Sequence, residues 1–135
     1  MNMNKYRLGI DIGSTTVKIA ILDDNNNILF SDYERHFANI QETLQGLLEK
    51  AVTKLGEFEV YPVITGSGGL TLAKHLEVPF TQEVVAVSTA LQDYAPQCDV
   101  AIELGVFRTI DRFGRHLFEL PEMHLGAASG ITTVR

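Results

Sequence analysis

Residues 6–36 hold three short apolar runs, Tyr6–Ile12, Thr16–Leu22 and Ile28–His36, separated by turns only a few residues long. The first turn contains Gly13 and the second is the polar run Asp23-Asp24-Asn25-Asn26-Asn27. Such residues end strands because they accept the backbone angles that tight turns demand. Parallel neighbours need a crossover of about a dozen residues or more, so strands joined this closely must pair antiparallel. The chain therefore starts as a three-stranded meander.

The hydrophobic period then changes. Ile40, Leu44, Leu47, Leu48, Ala51 and Leu55 recur at helical spacing and share one face. Asn39 stands where an N-cap belongs, Glu42 at the capping-box position, and Gly56 at the end. Val60–Thr65 reads as a fourth strand, Gly66-Ser67-Gly68-Gly69 as a turn into a short helix ending near Leu76, and Gln82–Tyr94 as a further helix with Val84, Val87 and Leu91 inward. Asp99–Leu104 reads as a fifth strand. A hairpin follows from Val106–Ile110 to His116–Leu120 around Asp111-Arg112-Phe113-Gly114, and Pro121–Arg135 is glycine-rich and weakly patterned. The order β-β-β-α-β-α-α-β predicts an α/β fold of ribonuclease-H-like layout. Its mixed five-stranded sheet has the order 3-2-1-4-5, with helices packed on it.

Composition excludes several classes. The chain has 135 residues, 45% apolar, which suits one folded domain with a real core. No apolar run approaches the length of a membrane span, and Met1-Asn2-Met3-Asn4 has no signal-peptide pattern, so neither membrane insertion nor secretion is expected. Cys98 is the one cysteine and cannot form an internal disulfide, so the expected location is cytoplasmic. A net charge of −6 argues against nucleic acid as a partner, because phosphate backbones select clustered Lys and Arg. The four histidines show no ligand spacing, and no zinc site is expected.

Chemistry concentrates in Leu8-Gly9-Ile10-Asp11-Ile12-Gly13-Ser14-Thr15-Thr16-Val17-Lys18. Asp11 ends one strand and Lys18 lies on the next. Between them Gly13 lets the backbone approach a ligand, successive amides form an anion nest, and Ser14, Thr15 and Thr16 add hydroxyls. A carboxylate beside an anion nest suits hydrated Mg²⁺, and Lys18 would neutralise phosphate charge. The same residues would also serve a plain hairpin, but an aspartate in an apolar strand is costly to bury without a partner.

This segment resembles the first phosphate loop of the sugar-kinase, Hsp70 and actin superfamily, Asp-x-Gly-x-Thr followed by a basic position. The run from Tyr6 to Gly105 is similar to the activator ATPases of 2-hydroxyacyl-CoA dehydratases and the related benzoyl-CoA reductase ATPase subunits. Four pieces in order carry the resemblance: Gly9–Lys18, Thr65-Gly66-Ser67-Gly68-Gly69, Gln82-Glu83-Val84-Val85 and Ala101-Ile102-Glu103-Leu104-Gly105. It implies ATP or ADP with Mg²⁺ as cofactors. Asp11 would be a catalytic residue orienting metal-bound water, and Gly13, Ser14, Thr15, Thr16 and Lys18 would hold the β- and γ-phosphates. Glu103 would be a second catalytic acid, at the position of the superfamily's second phosphate loop; a solvent-facing strand end is its other reading. The Gly66–Gly69 turn is read as a strand-to-helix connection near the site, since the chain has neither a complete dinucleotide fingerprint nor a Walker lysine. The resemblance implies a dehydratase or reductase component as partner.

Two departures stand out. After Gly105 the family pattern continues with a second glycine, an acidic pair and a lysine, where this chain has Val106-Phe107-Arg108-Thr109-Ile110. The family's [4Fe–4S] cluster, shared by a dimer, needs a cysteine aligned with Gly126 in Gly126-Ala127-Ala128-Ser129-Gly130, and none stands there. The iron–sulfur cluster is therefore not expected. Residues 1–105 are expected to form the ribonuclease-H-like lobe, and 106–135 a divergent hairpin and glycine-rich tail of the same domain. Only the N-terminal lobe of the family is matched, so a homodimer covering exposed apolar surface is a further expectation. Alternatives are a noncatalytic interaction or structural domain that keeps the fold, or part of a small-molecule kinase of the same superfamily.

Overall fold

The computed structural model describes residues 3–103, 108–111, 116–119 and 131–134. The chain divides into two compact units, Met1–Thr81 and Gln82–Arg135.

The first unit is built on strands β1 (Asn4–Ile12), β2 (Thr16–Leu22), β3 (Ile28–Arg35) and β4 (Phe58–Thr65), in the order β3-β2-β1-β4. β1 to β3 form the antiparallel meander, and β4 joins β1 in parallel after helix α1 (Ile40–Leu55). The polar turn closes as its residues require. Asp23 accepts the Asn25 and Asn27 amides on Oδ1 and the Asn27 side chain on Oδ2, while Asn26 adopts φ 64°.

Strand alternation sorts the sheet into two faces. Leu8, Ile10 and Ile12 of β1, Val17, Ile19 and Ile21 of β2 and Ile64 of β4 are buried with Leu44, Leu47 and Ala51 of α1 and Leu72 and Ala73 of helix α2 (Gly69–Leu76). Each Leu, Ile or Val among them contributes about 1.5–3 kcal/mol on burial, which makes this face the unit's stabilising core. At the sheet edge the same face ends in Asp32 and Glu34, whose carboxylates take Lys50 of α1. The opposite face carries the intervening residues, among them Gly9, Asp11, Lys18 and Thr65.

Helix capping differs from expectation. Asn39 is the N-cap of α1 but makes no side-chain cap bond. Its own amide donates to the His36 carbonyl at 2.6 Å, so a capping-box Glu42 has no N–H left to accept. The Asn39 carbonyl instead takes the Thr43 amide and hydroxyl. Gly56 ends the helix at φ 80° as expected.

The second unit holds helix α3 (Glu83–Tyr94), in which Leu91 is buried against Val84 and Val87, and strands β5 (Val100–Glu103), β6 (Arg108–Asp111), β7 (His116–Glu119) and β8 (Ile131–Val134). These four strands form an antiparallel sheet in the order β7-β6-β5-β8. The β6–β7 hairpin matches the sequence reading; its turn at 112–115 and the glycine-rich run 120–130 lie outside the described residues. Strand β8 was not expected.

The five-stranded order 3-2-1-4-5 is corrected to a four-stranded sheet, and both edges of the expected junction explain why. β5 spends its two edges on β6 and β8. On β4, Ile64 turns its N–H and C=O outward to Pro79 and Thr81, with Phe80 bridging alongside. Pro62 lies two residues earlier on the same side, and its missing N–H removes the next donor that a fifth strand would use.

Candidate functional site

Asp11, Gly13, Ser14, Thr15, Thr16 and Lys18 lie together at the end of the first hairpin. Asp11 pairs in register with Lys18 across β1–β2, and Gly13 donates its amide to the Thr16 carbonyl at 2.9 Å. That leaves Ser14 and Thr15 at the tip, both exposed, while Thr16 is buried at the start of β2. Neither Ser14 nor Thr15 has positive φ, and neither does Gly13. A Cβ on Gly13 would meet the chain's own atoms no closer than 3.4 Å. Folding alone does not demand glycine there; a ligand's close approach to the backbone would.

Four carbonyls of this turn are held by hydrogen bonds within the protein. Ile12 C=O accepts the Gly68 amide at 2.9 Å, Gly13 C=O accepts from the His36 ring at 3.1 Å, Thr15 C=O accepts the His36 amide at 3.0 Å, and Thr16 C=O takes Gly13. An anion-binding turn needs this arrangement, because a carbonyl facing an anion repels it.

Asp11 sits between β2 and β4. Its Oδ2 lies 3.5 Å from Lys18 Nζ, and both side chains are about one-third exposed (31% and 34%). An ion pair this accessible contributes about 0–1 kcal/mol. It can be exchanged for ligand contacts at little cost. Asp11 Oδ1 is buried and has no hydrogen-bond partner among the described residues, and the same holds for the hydroxyl of Thr65, its register partner on β4. Two such orphaned oxygens side by side are unusual, since buried polar atoms are nearly always paired.

The second glycine cluster packs on this strand end. Gly66 has φ 100°, and a Cβ there would stand 2.3 Å from the Ile12 carbonyl oxygen and 2.6 Å from Asp11 Oδ1. Added Cβ atoms would fall 3.0 Å from Ile12 Cγ2 at Gly68 and 2.7 Å from Ile64 Cγ2 at Gly69. These glycines bring the start of α2 against Asp11–Gly13, which is the connecting role expected of them.

Glu103 is the last residue of β5, in the second unit. The expectation that its carboxylate enters the Asp11 site lies outside the described residues. Sequence reasoning passed over His36 and Thr65. Counting the β2–β3 register outward from the Asp-Asn turn would set Thr16 opposite Glu34; a bulge at Ile21/Leu22 shifts it to Arg35, one residue before His36.

No family model matches the chain, and no curated protein matches it either. Among solved structures it is similar to the (R)-2-hydroxyglutaryl-CoA dehydratase component A of Acidaminococcus fermentans, with a TM-score of 0.67 at 20% identity over 85% of this chain and 46% of that one. The activator of the 2-hydroxyisocaproyl-CoA dehydratase from Clostridium difficile, with bound ADPNP, gives a TM-score of 0.58 at 22% identity over 85% and 44%. The fold is that of the actin-like ATPases and sugar kinases. A ROK family glucokinase from Streptomyces griseus, in complex with glucose and AMPPNP, shares it with a TM-score of 0.53 at 15% identity over 77% and 42%. The chain thus spans less than half the length of each of these proteins. An actin-like fold is the one that the sequence resemblance implies.

A [4Fe–4S] cluster does not fit the residues present: Cys98 is the chain's one cysteine and is buried. No group of three or more His, Cys, Asp or Glu among the described residues is placed to hold a metal by protein ligands alone. Mg²⁺ held largely through water makes a smaller demand, and the orphaned Asp11 Oδ1 fits it as an oxygen acceptor without a donor. No helix among the described residues is long and apolar enough to cross a membrane.

Proposed function

We propose that this chain is the N-terminal, phosphate-binding lobe of an ATPase related to the 2-hydroxyacyl-CoA dehydratase activators, and that the Asp11–Lys18 hairpin takes the β- and γ-phosphates of ATP or ADP. The observation that carries this reading is Asp11 Oδ1, a buried carboxylate oxygen lacking a donor among the described residues, beside a turn in which the Ile12, Gly13, Thr15 and Thr16 carbonyls are held by hydrogen bonds within the protein. Ser14 and Thr15 would meet phosphate oxygens from the exposed tip, Gly13 would give them room, and Thr16 would anchor the turn from below. Lys18 would pass from Asp11 to phosphate as the ligand enters.

Mg²⁺ is the expected companion, with Asp11 as its acceptor through water, and it would supply charge neutralisation to the phosphates. In that arrangement Asp11 acts by orienting water, and Glu103 is proposed as the second acid. Residues 1–105 are proposed as the lobe and 106–135 as its divergent end. Phosphoryl transfer rests on positioning and electrostatics from all sides of the phosphates, so hydrolysis would call on groups beyond this hairpin. The bound nucleotide analogues of the Clostridium activator and the Streptomyces glucokinase support the nucleotide reading. A dehydratase or reductase as partner, and a homodimer, are proposed from the activator resemblance. The glucokinase likeness keeps a small-molecule kinase as the second reading.

Titration calorimetry with ADPNP tests the proposal. We expect dissociation constants on the order of millimolar, about 4 kcal/mol, tightened by Mg²⁺. Equal heats with and without Mg²⁺, or none at all, would favour a domain that keeps the fold without the chemistry.

A further inference from the structure

We propose that His36 is the positioning residue of the phosphate turn: it holds the Gly13 carbonyl by a hydrogen bond and thereby sets nucleotide affinity without touching the ligand. This rests on the reading of the Asp11–Lys18 hairpin given above.

The residue is reached by the fold and not by local sequence. β3 ends at Arg35, opposite Thr16, and the next residue extends the ladder by donating its amide to Thr15 C=O at 3.0 Å. The side chain then turns back under the hairpin, where its Nε2 lies 3.1 Å from Gly13 O. On the ring's other side, Ala38 donates its amide to Nδ1 at 3.0 Å. A carbonyl only accepts and an amide only donates, so these two partners require one protonation state. Nε2 carries the hydrogen and Nδ1 the lone pair, in a neutral ring.

The backbone around the ring is shaped to make this possible. Phe37 and Ala38 adopt φ 44° and 68°, two consecutive left-handed residues of which neither is glycine. Such conformations persist where the surroundings overdetermine them, and they gather at functional sites. Here they swing the Ala38 amide onto Nδ1 and the Asn39 amide onto the His36 carbonyl at 2.6 Å. His36 is 8% exposed, a buried polar ring with both nitrogens satisfied. Two of the four held carbonyls, at Gly13 and Thr15, depend on this one residue. If the Gly13 carbonyl were released, it would be able to rotate toward the anion, and the turn would lose its pre-set form before any ligand arrived.

Two substitutions separate the ring's two contacts. His36→Gln keeps an N–H donor near the Nε2 position, whereas His36→Asn keeps an acceptor near the Nδ1 position and loses the donor to Gly13. The test uses the whole chain with Mg·ADP as probe, followed by amide chemical shifts, together with thermal unfolding of each variant. We expect His36→Gln to bind like the parent, and His36→Asn and His36→Ala to bind about three- to tenfold more weakly, as the loss of one hydrogen bond implies. Ring nitrogen shifts of the ligand-free parent should report the neutral Nε2–H form. A parent that binds no Mg·ADP would overturn the phosphate-turn reading and this proposal with it. A parent that binds, with all three variants equal to it, would overturn the role of His36 alone. So would variants that weaken in step with their melting temperatures, or a ring that carries its hydrogen on Nδ1.

Discussion

Asp11 and Thr65 are register partners on neighbouring parallel strands, and each buries a side-chain oxygen with no hydrogen-bond partner among the described residues. An unmet buried polar atom costs about 1–3 kcal/mol. Thr65→Val removes one of the two at constant shape. Its ligand-free stability should therefore equal that of the parent or exceed it by up to about 2 kcal/mol. Urea unfolding measures this, and a loss of stability would show that the hydroxyl has a partner.

The glycines of the site and of the helix should behave in opposite ways. Gly66→Ala meets both a left-handed φ and a carbonyl oxygen at 2.3 Å, so it should destabilise by at least about 2 kcal/mol. Gly46 sits inside α1 with nothing within 4 Å of an added Cβ, and Gly46→Ala should stabilise by about 0.4–1 kcal/mol. Thermal melts of the two variants decide the matter; shifts of the same sign would contradict the packing described.

Core packing gives a third outcome. Leu47 is fully buried on α1 between the sheet and the helix, and Leu47→Ala should cost about 2–5 kcal/mol. A change below 1 kcal/mol in denaturant unfolding, small for a leucine-sized cavity, would mean that α1 is not packed as described.

The three-strand meander was legible because its turns are too short for any other connection, and α1 because six apolar residues keep one helical face. The site's backbone was legible for the same reason: Asp11 and Lys18 flank a turn whose register the hairpin fixes. What escaped was long-range. His36 reaches Gly13 across a strand pairing and a left-handed turn that Phe37-Ala38 does not advertise, since neither residue favours positive φ. The five-strand order failed at β4, where Pro62 carried a signal in the sequence: a strand with a proline on its outer side has no donor there for a neighbour. Strand β8 follows a glycine-rich run, and its Ile131-Thr132-Thr133-Val134 is too short to show a period.

The Asp23 turn predicts an acid-sensitive step. The Asn27 side chain, then the Asn27 amide, hold the Asp23 carboxyl below its ordinary value of 3.8. A depressed folded pKa contributes stability that is present above that value and is lost as pH falls through the lower folded one. Asp23→Asn should therefore be less stable than the parent above pH 3.8, with the gap closing as the pH falls further. Urea unfolding as a function of pH reads the gap, and a difference that widens in acid would contradict the turn's hydrogen bonding.

The most direct test of the phosphate site is an amide-resolved titration of the chain and of Asp11→Asn with ADP, each with and without Mg²⁺. For the parent we predict shifts centred on Gly13 to Thr16 that need Mg²⁺ for full strength, saturating in the millimolar range, on the order of 4 kcal/mol of binding. For Asp11→Asn we predict the same fold with most of the Mg²⁺ dependence gone. Shifts scattered away from the turn, or an Asp11→Asn response to Mg²⁺ equal to the parent's, would contradict the account.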